Sequence, residues 1–76
     1  MLYTLTLTRH PHSHCIVPRG SLVDVLDALI AAGYRDTLRD VVHDLQLLGQ
    51  YLGRATDGTY VCVEMSHAEI VHEAAL

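Results

Sequence analysis

Apolar and polar side chains alternate along residues 2–9, the first strand-length segment of the chain. Tyr3, Leu5 and Leu7 share one parity, and three threonines occupy the other. Because successive side chains of a strand point to opposite faces, this alternation predicts a half-buried β-strand. A shorter apolar run at residues 15–17 predicts a brief second strand.

Helical periodicity begins after that run. Ser21 stands where an N-cap belongs, and Asp24 follows three residues later, which is the pattern of a capping box. Gly33 marks the predicted end of this helix. The apolar residues of the segment recur at the spacing of one helical face. They are Leu22, Val25, Leu26, Leu29 and Ile30.

A second amphipathic helix is predicted to begin near Asp36 or Thr37. Gly49 marks its predicted end, and Gly53 is the alternative. The apolar residues between these limits again follow the helical period, which predicts one buried stripe. The stripe consists of Leu38, Val41, Val42, Leu45 and Leu48.

The dipeptide Asp57-Gly58 separates two β-forming segments and is a strong signal for a two-residue hairpin turn. Such a turn places Leu52 opposite Val63. It also turns three apolar side chains of the second segment toward the core. These are Val61, Val63 and Met65.

Ser66 and Glu69 form another capping-box pattern, which predicts a short C-terminal helix over residues 67–75. The predicted fold is a single α+β domain spanning residues 1–76. Its antiparallel sheet combines the N-terminal strand with the C-terminal hairpin. Two central helices and the short C-terminal helix cover one face of that sheet.

Composition excludes several classes of function. The 76 residues carry a formal net charge of −4, and all five basic residues are arginines. Without a basic face, direct binding to nucleic acid is disfavoured. No apolar run approaches the ~20 residues of a membrane span, and no secretory signal pattern opens the chain. We therefore expect a cytoplasmic protein without membrane contact, whose Cys15 and Cys62 stay as thiols.

Candidate metal ligands fall within one six-residue segment: His10, His12, His14 and Cys15. Histidines separated by one residue in an extended chain project to the same side with Cα atoms about 6.5 Å apart, so two of them can share a transition metal. Cys15 alternates to the opposite face, so a ligand set that includes it needs a turn. The plainer interpretation of this segment is a solvated polar loop between strands. A third interpretation is a contact surface that responds to pH, because histidine titrates near neutrality.

Candidate partner-binding residues lie on the second helix and just after it. Asp36, Asp40 and Asp44 recur every four residues, so their carboxylates line one helix edge with Arg39 close by. Leu47 points away from the buried stripe, in a segment up to Leu52 that is more apolar than one stripe requires. The sheet, a second copy of the chain in a homodimer, or a protein partner would cover that side. The residues assigned to the partner surface are Asp36, Arg39, Asp40, Asp44, Leu47 and Tyr51.

Enzyme signatures are missing from the sequence. Gly53 and Gly58 have the spacing of a phosphate-binding loop, but Thr59 and Tyr60 stand where that loop requires Lys and Ser or Thr. The leading hypothesis is a non-enzymatic protein-binding module, an inhibitor or adaptor, whose partner has a basic surface of the kind that holds nucleic acid.

In size, acidity and lack of catalytic motifs the chain resembles the small anti-CRISPR inhibitors. That resemblance implies a phage or mobile-element protein that blocks a host nucleic-acid machine. Two alternatives remain open. One is a small winged helix-turn-helix regulator, with the hairpin as its wing. The other is a metal-binding accessory protein that uses residues 10–15.

Overall fold

A computed structural model describes residues 1–66, and the predicted C-terminal helix lies outside them. The described elements follow in the order β1 (Tyr3–Arg9), β2 (His12–Gly20), α1 (Leu22–Ala31), a 3-10 turn (Arg35–Thr37), α2 (Leu38–Leu48), β3 (Gln50–Arg54) and β4 (Tyr60–Met65). The strands form one four-stranded antiparallel sheet in the order β2-β1-β4-β3. The predicted α+β class is confirmed.

Both helices pack on one face of this sheet, α1 mainly against β1 and β2, and α2 against β3 and β4. The core between the layers is made of small aliphatic residues with one tyrosine. Leu5 of β1 is fully buried at its centre and pairs with Val63 of β4. The alternation predicted for β1 is therefore confirmed, and Leu5 faces the helices.

The second strand is much longer than the sequence predicted. It runs from His12 to Gly20 and pairs with β1 over most of that length, with register shifts beside Leu5. The prediction was too short because it relied on apolar content. Backbone pairing with β1 sustains the strand instead, and because β2 is an edge strand it tolerates exposed polar side chains and Pro18.

The helix limits agree closely with their local signals. Ser21 and Asp24 form a complete capping box at the start of α1, and Gly49 ends α2 in the left-handed conformation with φ 74°. Leu48 was wrongly assigned to the buried stripe of α2, since it is 70% exposed. It is the last residue of α2, and contact with the core ends one turn earlier at Leu45.

The hairpin register differs from the prediction by one residue. Ala55 donates its N–H to the carbonyl of Thr59, so the loop contains three residues, and Gly58 takes the positive φ of 89°. A three-residue loop with a left-handed third position is the next most common hairpin connection. Leu52 consequently lies opposite Cys62 instead of Val63 and is exposed on the outer face.

The inward orientation predicted for β4 is confirmed for Val61 and Val63, which are fully buried. Met65 shares their face, as predicted, but is 36% exposed. It pairs with Tyr3 at the end of the sheet, where β4 finishes.

Candidate functional site

Three carboxylates lie on one side of the second helix, as the four-residue spacing predicts. Asp36 belongs to the 3-10 turn, and Asp40 lies in the first turn of α2, four residues before Asp44. All three act on the same phenol. Burial raises the pKa of Tyr51, and the charges of Asp40, Asp44 and Asp36 raise it further. We refer to these three carboxylates as the acidic cluster.

Tyr51 itself was wrongly assigned to the partner surface, because it is only 7% exposed and belongs to the core. Gly49 reverses the chain directly into β3, where Tyr51 pairs with Val63 and faces the helices. Its ring lies across Gly53, two residues along the strand. The sequence missed this because the leucine-rich end of α2 and the start of β3 read as one apolar segment.

Two neighbouring leucines end the acidic helix with most of their surface in solvent. Leu47 is 69% and Leu48 is 70% exposed, so the sheet does not cover this side. Arg39 is exposed on the same helix. We refer to these residues together as the α2 surface. It comprises Asp36, Arg39, Asp40, Asp44, Leu47 and Leu48.

The histidine segment belongs to the sheet. The plainer interpretation, a solvated loop between strands, was therefore wrong. Only His10 and Pro11 form the turn, and the peptide bond between them is cis. His12 pairs with Arg9 and His14 pairs with Leu7, so both imidazoles project from the helix-side face.

The four predicted metal ligands are not brought together. Cys15 pairs with Thr6 and projects from the outer face, opposite to the two strand histidines. Among residues 1–66, no three His, Cys, Asp or Glu side chains converge in a way that could hold a metal ion. The metal hypothesis therefore stays a prediction, and it rests on His12 and His14 sharing one face.

The same two histidines line a cleft of about 450 Å³ at this end of the sheet. Its wall combines basic, aromatic, hydroxyl and aliphatic side chains. We call it the histidine cleft, and it is lined by Leu7, Arg9, His10, His12, His14, Ile16, Tyr34 and Thr59. Sequence reasoning found the histidines and missed the other residues. Pairing of residues 2–9 with an extended histidine segment would have found Arg9, but nothing local points to Tyr34.

A hydrogen-bonded network fixes one wall of the cleft. Arg9 Nη2 donates to Asp57 Oδ2 at 2.6 Å, and Arg9 Nε donates to Thr59 Oγ1 at 3.3 Å. The Tyr34 hydroxyl donates to Asp57 Oδ2 at 2.8 Å and lies 3.1 Å from Thr59 Oγ1. These contacts join the end of β1, the link between the helices and the turn of the β3–β4 hairpin.

Asp57 is the acceptor at the centre of that network. The backbone N–H of Thr59 lowers the pKa of Asp57 most, the Tyr34 hydroxyl contributes next, and Arg9 adds a smaller electrostatic effect. With the Thr59 hydroxyl, and against the opposing effect of burial, they bring the pKa of this carboxyl from 3.8 to about 2. The charged form of Asp57 is thus favoured by folding.

Replacing Asp57 by asparagine is expected to remove part of the acid sensitivity of the fold. Because folding lowers the pKa of Asp57 from 3.8 to about 2, its contribution is complete above pH 3.8 and is lost as the pH falls toward 2. Thermal unfolding followed by circular dichroism, from about pH 5 down to about pH 2, measures that loss. Wild type should lose more stability across this window than D57N.

The matched control is D27N, which neutralises an exposed carboxylate on α1. D27N should retain the full acid-induced loss of the wild type. If D57N and wild type lose the same stability between about pH 4 and pH 2, the role assigned to the network is wrong.

Comparison with known proteins gives no relative from which a role could be transferred. No family model matches the chain, and no match emerged among curated proteins or solved structures. Within residues 1–66, no helix is long and apolar enough to cross a membrane. The α2 surface and the histidine cleft must therefore be interpreted from their own chemistry.

Proposed function

We propose that this chain is a non-enzymatic protein-binding module, an inhibitor or adaptor, that docks through the α2 surface. The observation that carries the proposal is the exposure of Leu47 and Leu48, 69% and 70%, directly beside the acidic cluster. Scattered exposed leucines are common, but two adjoining ones next to a row of like charges form a mixed surface suited to docking.

The leucines and the carboxylates of the α2 surface have different roles in recognition. Fully burying one leucine contributes about 1.5–3 kcal/mol, so Leu47 and Leu48 supply affinity once a partner covers them. The carboxylates of Asp36, Asp40 and Asp44 steer an oppositely charged surface and fix its orientation more than they add affinity. The partner that fits is a protein with an apolar recess beside a basic patch.

Basic patches of this kind commonly hold nucleic acid, so the module is suited to inhibit a nucleic-acid machine, as the resemblance to anti-CRISPR inhibitors implies. The proposal places the protein in the reducing cytoplasm, consistent with the free thiols of Cys15 and Cys62. A winged helix-turn-helix function fits less well. The exposed side of α2 would meet DNA phosphates with Asp36 and Asp40.

The test compares wild type with three variants of the immobilised chain in a lysate of its source organism. L47S/L48S removes the apolar pair, and D36N/D40N/D44N removes the charges without changing shape. The matched control, V23S/D27N, makes equivalent changes at exposed positions of α1, where Val23 is 64% exposed. Each captured protein is quantified by mass spectrometry and purified, and its affinity is measured by calorimetry and its association rate by surface plasmon resonance.

We expect a basic protein that binds wild type and the α1 control equally. L47S/L48S should weaken its affinity at least about tenfold, the equivalent of 1.4 kcal/mol. The Asp-to-Asn variant should reduce the association rate and its dependence on salt. Equal capture by wild type, L47S/L48S and D36N/D40N/D44N would overturn the proposal. Tight DNA binding at low salt, abolished by salt, would instead favour the regulator.

A further inference from the structure

We propose that the histidine cleft binds a small organic anion, consisting of a carboxylate or phosphate group on an apolar body. The cleft lies at the β1–β2 end of the sheet and shares no residue with the α2 surface. The proposal is therefore independent of the proposed protein-binding function, and either one can fail alone.

The first argument is charge. The chain carries a net charge of −4, yet the residues lining the cleft include one arginine and three of the six histidines, and the nearby carboxylate of Asp57 is paired with that arginine and does not line the cleft. His10, His12 and His14 offer N–H donors that become cationic when protonated. The cleft thus brings one arginine and three histidines of an acidic protein to one concave place.

The second argument is the position of the arginine. The contacts described for Arg9 use two of the five guanidinium N–H groups, one to Asp57 and one to Thr59. Asp57 and Tyr34 hold the guanidinium against the hairpin turn, and its remaining donors are suited to a carboxylate or phosphate. The network positions Arg9, and His12 stands beside it in the register.

The third argument is shape and apolar area. Leu7 and Ile16 give the cleft an aliphatic wall, and its volume of about 450 Å³ falls in the range typical of small-molecule sites. Inorganic phosphate would leave that wall uncovered. An aromatic or aliphatic body attached to the anion would bury it.

A metal ion fits the same residues less well. The guanidinium of Arg9 has no lone pair to offer a metal ion, and Cys15 faces away from His12 and His14. Among the described residues, no third ligating side chain joins the histidines in a metal-binding group. The wall is thus better matched to an anion.

The experiment titrates the ¹⁵N-labelled chain with four probes and follows backbone amide shifts. Phenyl phosphate and benzoate are the organic anions, inorganic phosphate lacks the apolar body, and benzyl alcohol lacks the charge. Saturable shifts at residues 7–16, Tyr34 and Thr59 are expected with at least one organic anion. Which of the two binds more tightly identifies the head group as phosphate or carboxylate.

The variant H12Q/H14Q should weaken binding of that organic anion at least about tenfold, because hydrogen bonds to a charged group are lost. Both histidines are exposed, so the fold should be retained, and unchanged amide shifts outside the cleft check this. The matched control is H43Q, at an exposed histidine of α2 whose side chain is 67% exposed, and its affinity should stay within about twofold of wild type.

Four results would overturn the proposal. Equal affinity for benzyl alcohol would mean that charge is not recognised, and equal affinity for inorganic phosphate would mean that the apolar wall is unused. In a separate titration with Zn²⁺, saturable binding that depends on His12 and His14, without anion binding, would identify a metal site instead. Unaltered anion affinity in H12Q/H14Q would likewise remove the histidines from the site.

Discussion

Replacing Leu29 by alanine is expected to lower the free energy of unfolding by about 2–5 kcal/mol. Leu29 is fully buried on α1 and belongs to the core cluster, so truncation removes its contacts with the sheet and leaves a cavity. A chain of this size buries only about 60% of the surface of its unfolded form, so the loss is a large share of the total stability.

Urea titration monitored by circular dichroism measures this effect for L29A. The matched control is V23A on the same helix, where the side chain is 64% exposed and truncation should change stability by about 0.5 kcal/mol or less. A core centred elsewhere would be indicated if both variants shifted the urea midpoint equally.

The second large effect is expected at Gly53, where alanine should destabilise the fold by about 1–3 kcal/mol. A Cβ built at this position would overlap the hydroxyl and ring of Tyr51, which lies across the glycine on the inner face of β3. The ring would have to leave its place in the core.

A double-mutant cycle separates this clash from a general effect of alanine in a strand. In a Tyr51→Ala background the obstructing ring is gone, so Gly53→Ala should cost much less than in wild type. The difference between the two costs should be at least about 1 kcal/mol, which is the range for residues in contact. Identical costs in both backgrounds would show that the tyrosine does not constrain Gly53.

Much of the fold follows from local rules that the sequence displays. The alternation around Leu5 defines β1, the Ser21 and Asp24 pair starts α1, and Gly49 ends α2. Each signal acts within one turn or one strand, through side-chain direction, capping hydrogen bonds or backbone conformation. The position of the hairpin at Gly58 was predicted for the same reason.

The candidate sites were predicted only in part. The acidic edge follows from the helical repeat, and the histidine cluster is visible in the sequence. The sequence did not show which residues at the apolar end of α2 are buried and which are exposed. Tyr51 enters the core while Leu47 stays exposed, and that division depends on where the helix stops and β3 begins. A one-residue difference in the turn also moved Leu52 to the outer face.

The sequence by itself therefore determined the helices, the first strand, the hairpin and the acidic edge, because these depend on neighbours a few residues apart. Tertiary structure alone decided the length of β2, the hairpin register and the histidine cleft. Pairing with β1 sets His12 beside Arg9, and packing of the hairpin brings Thr59 and Asp57 to Tyr34. Such contacts join segments distant in the chain, and their geometry is fixed only once the whole sheet and its helices have packed.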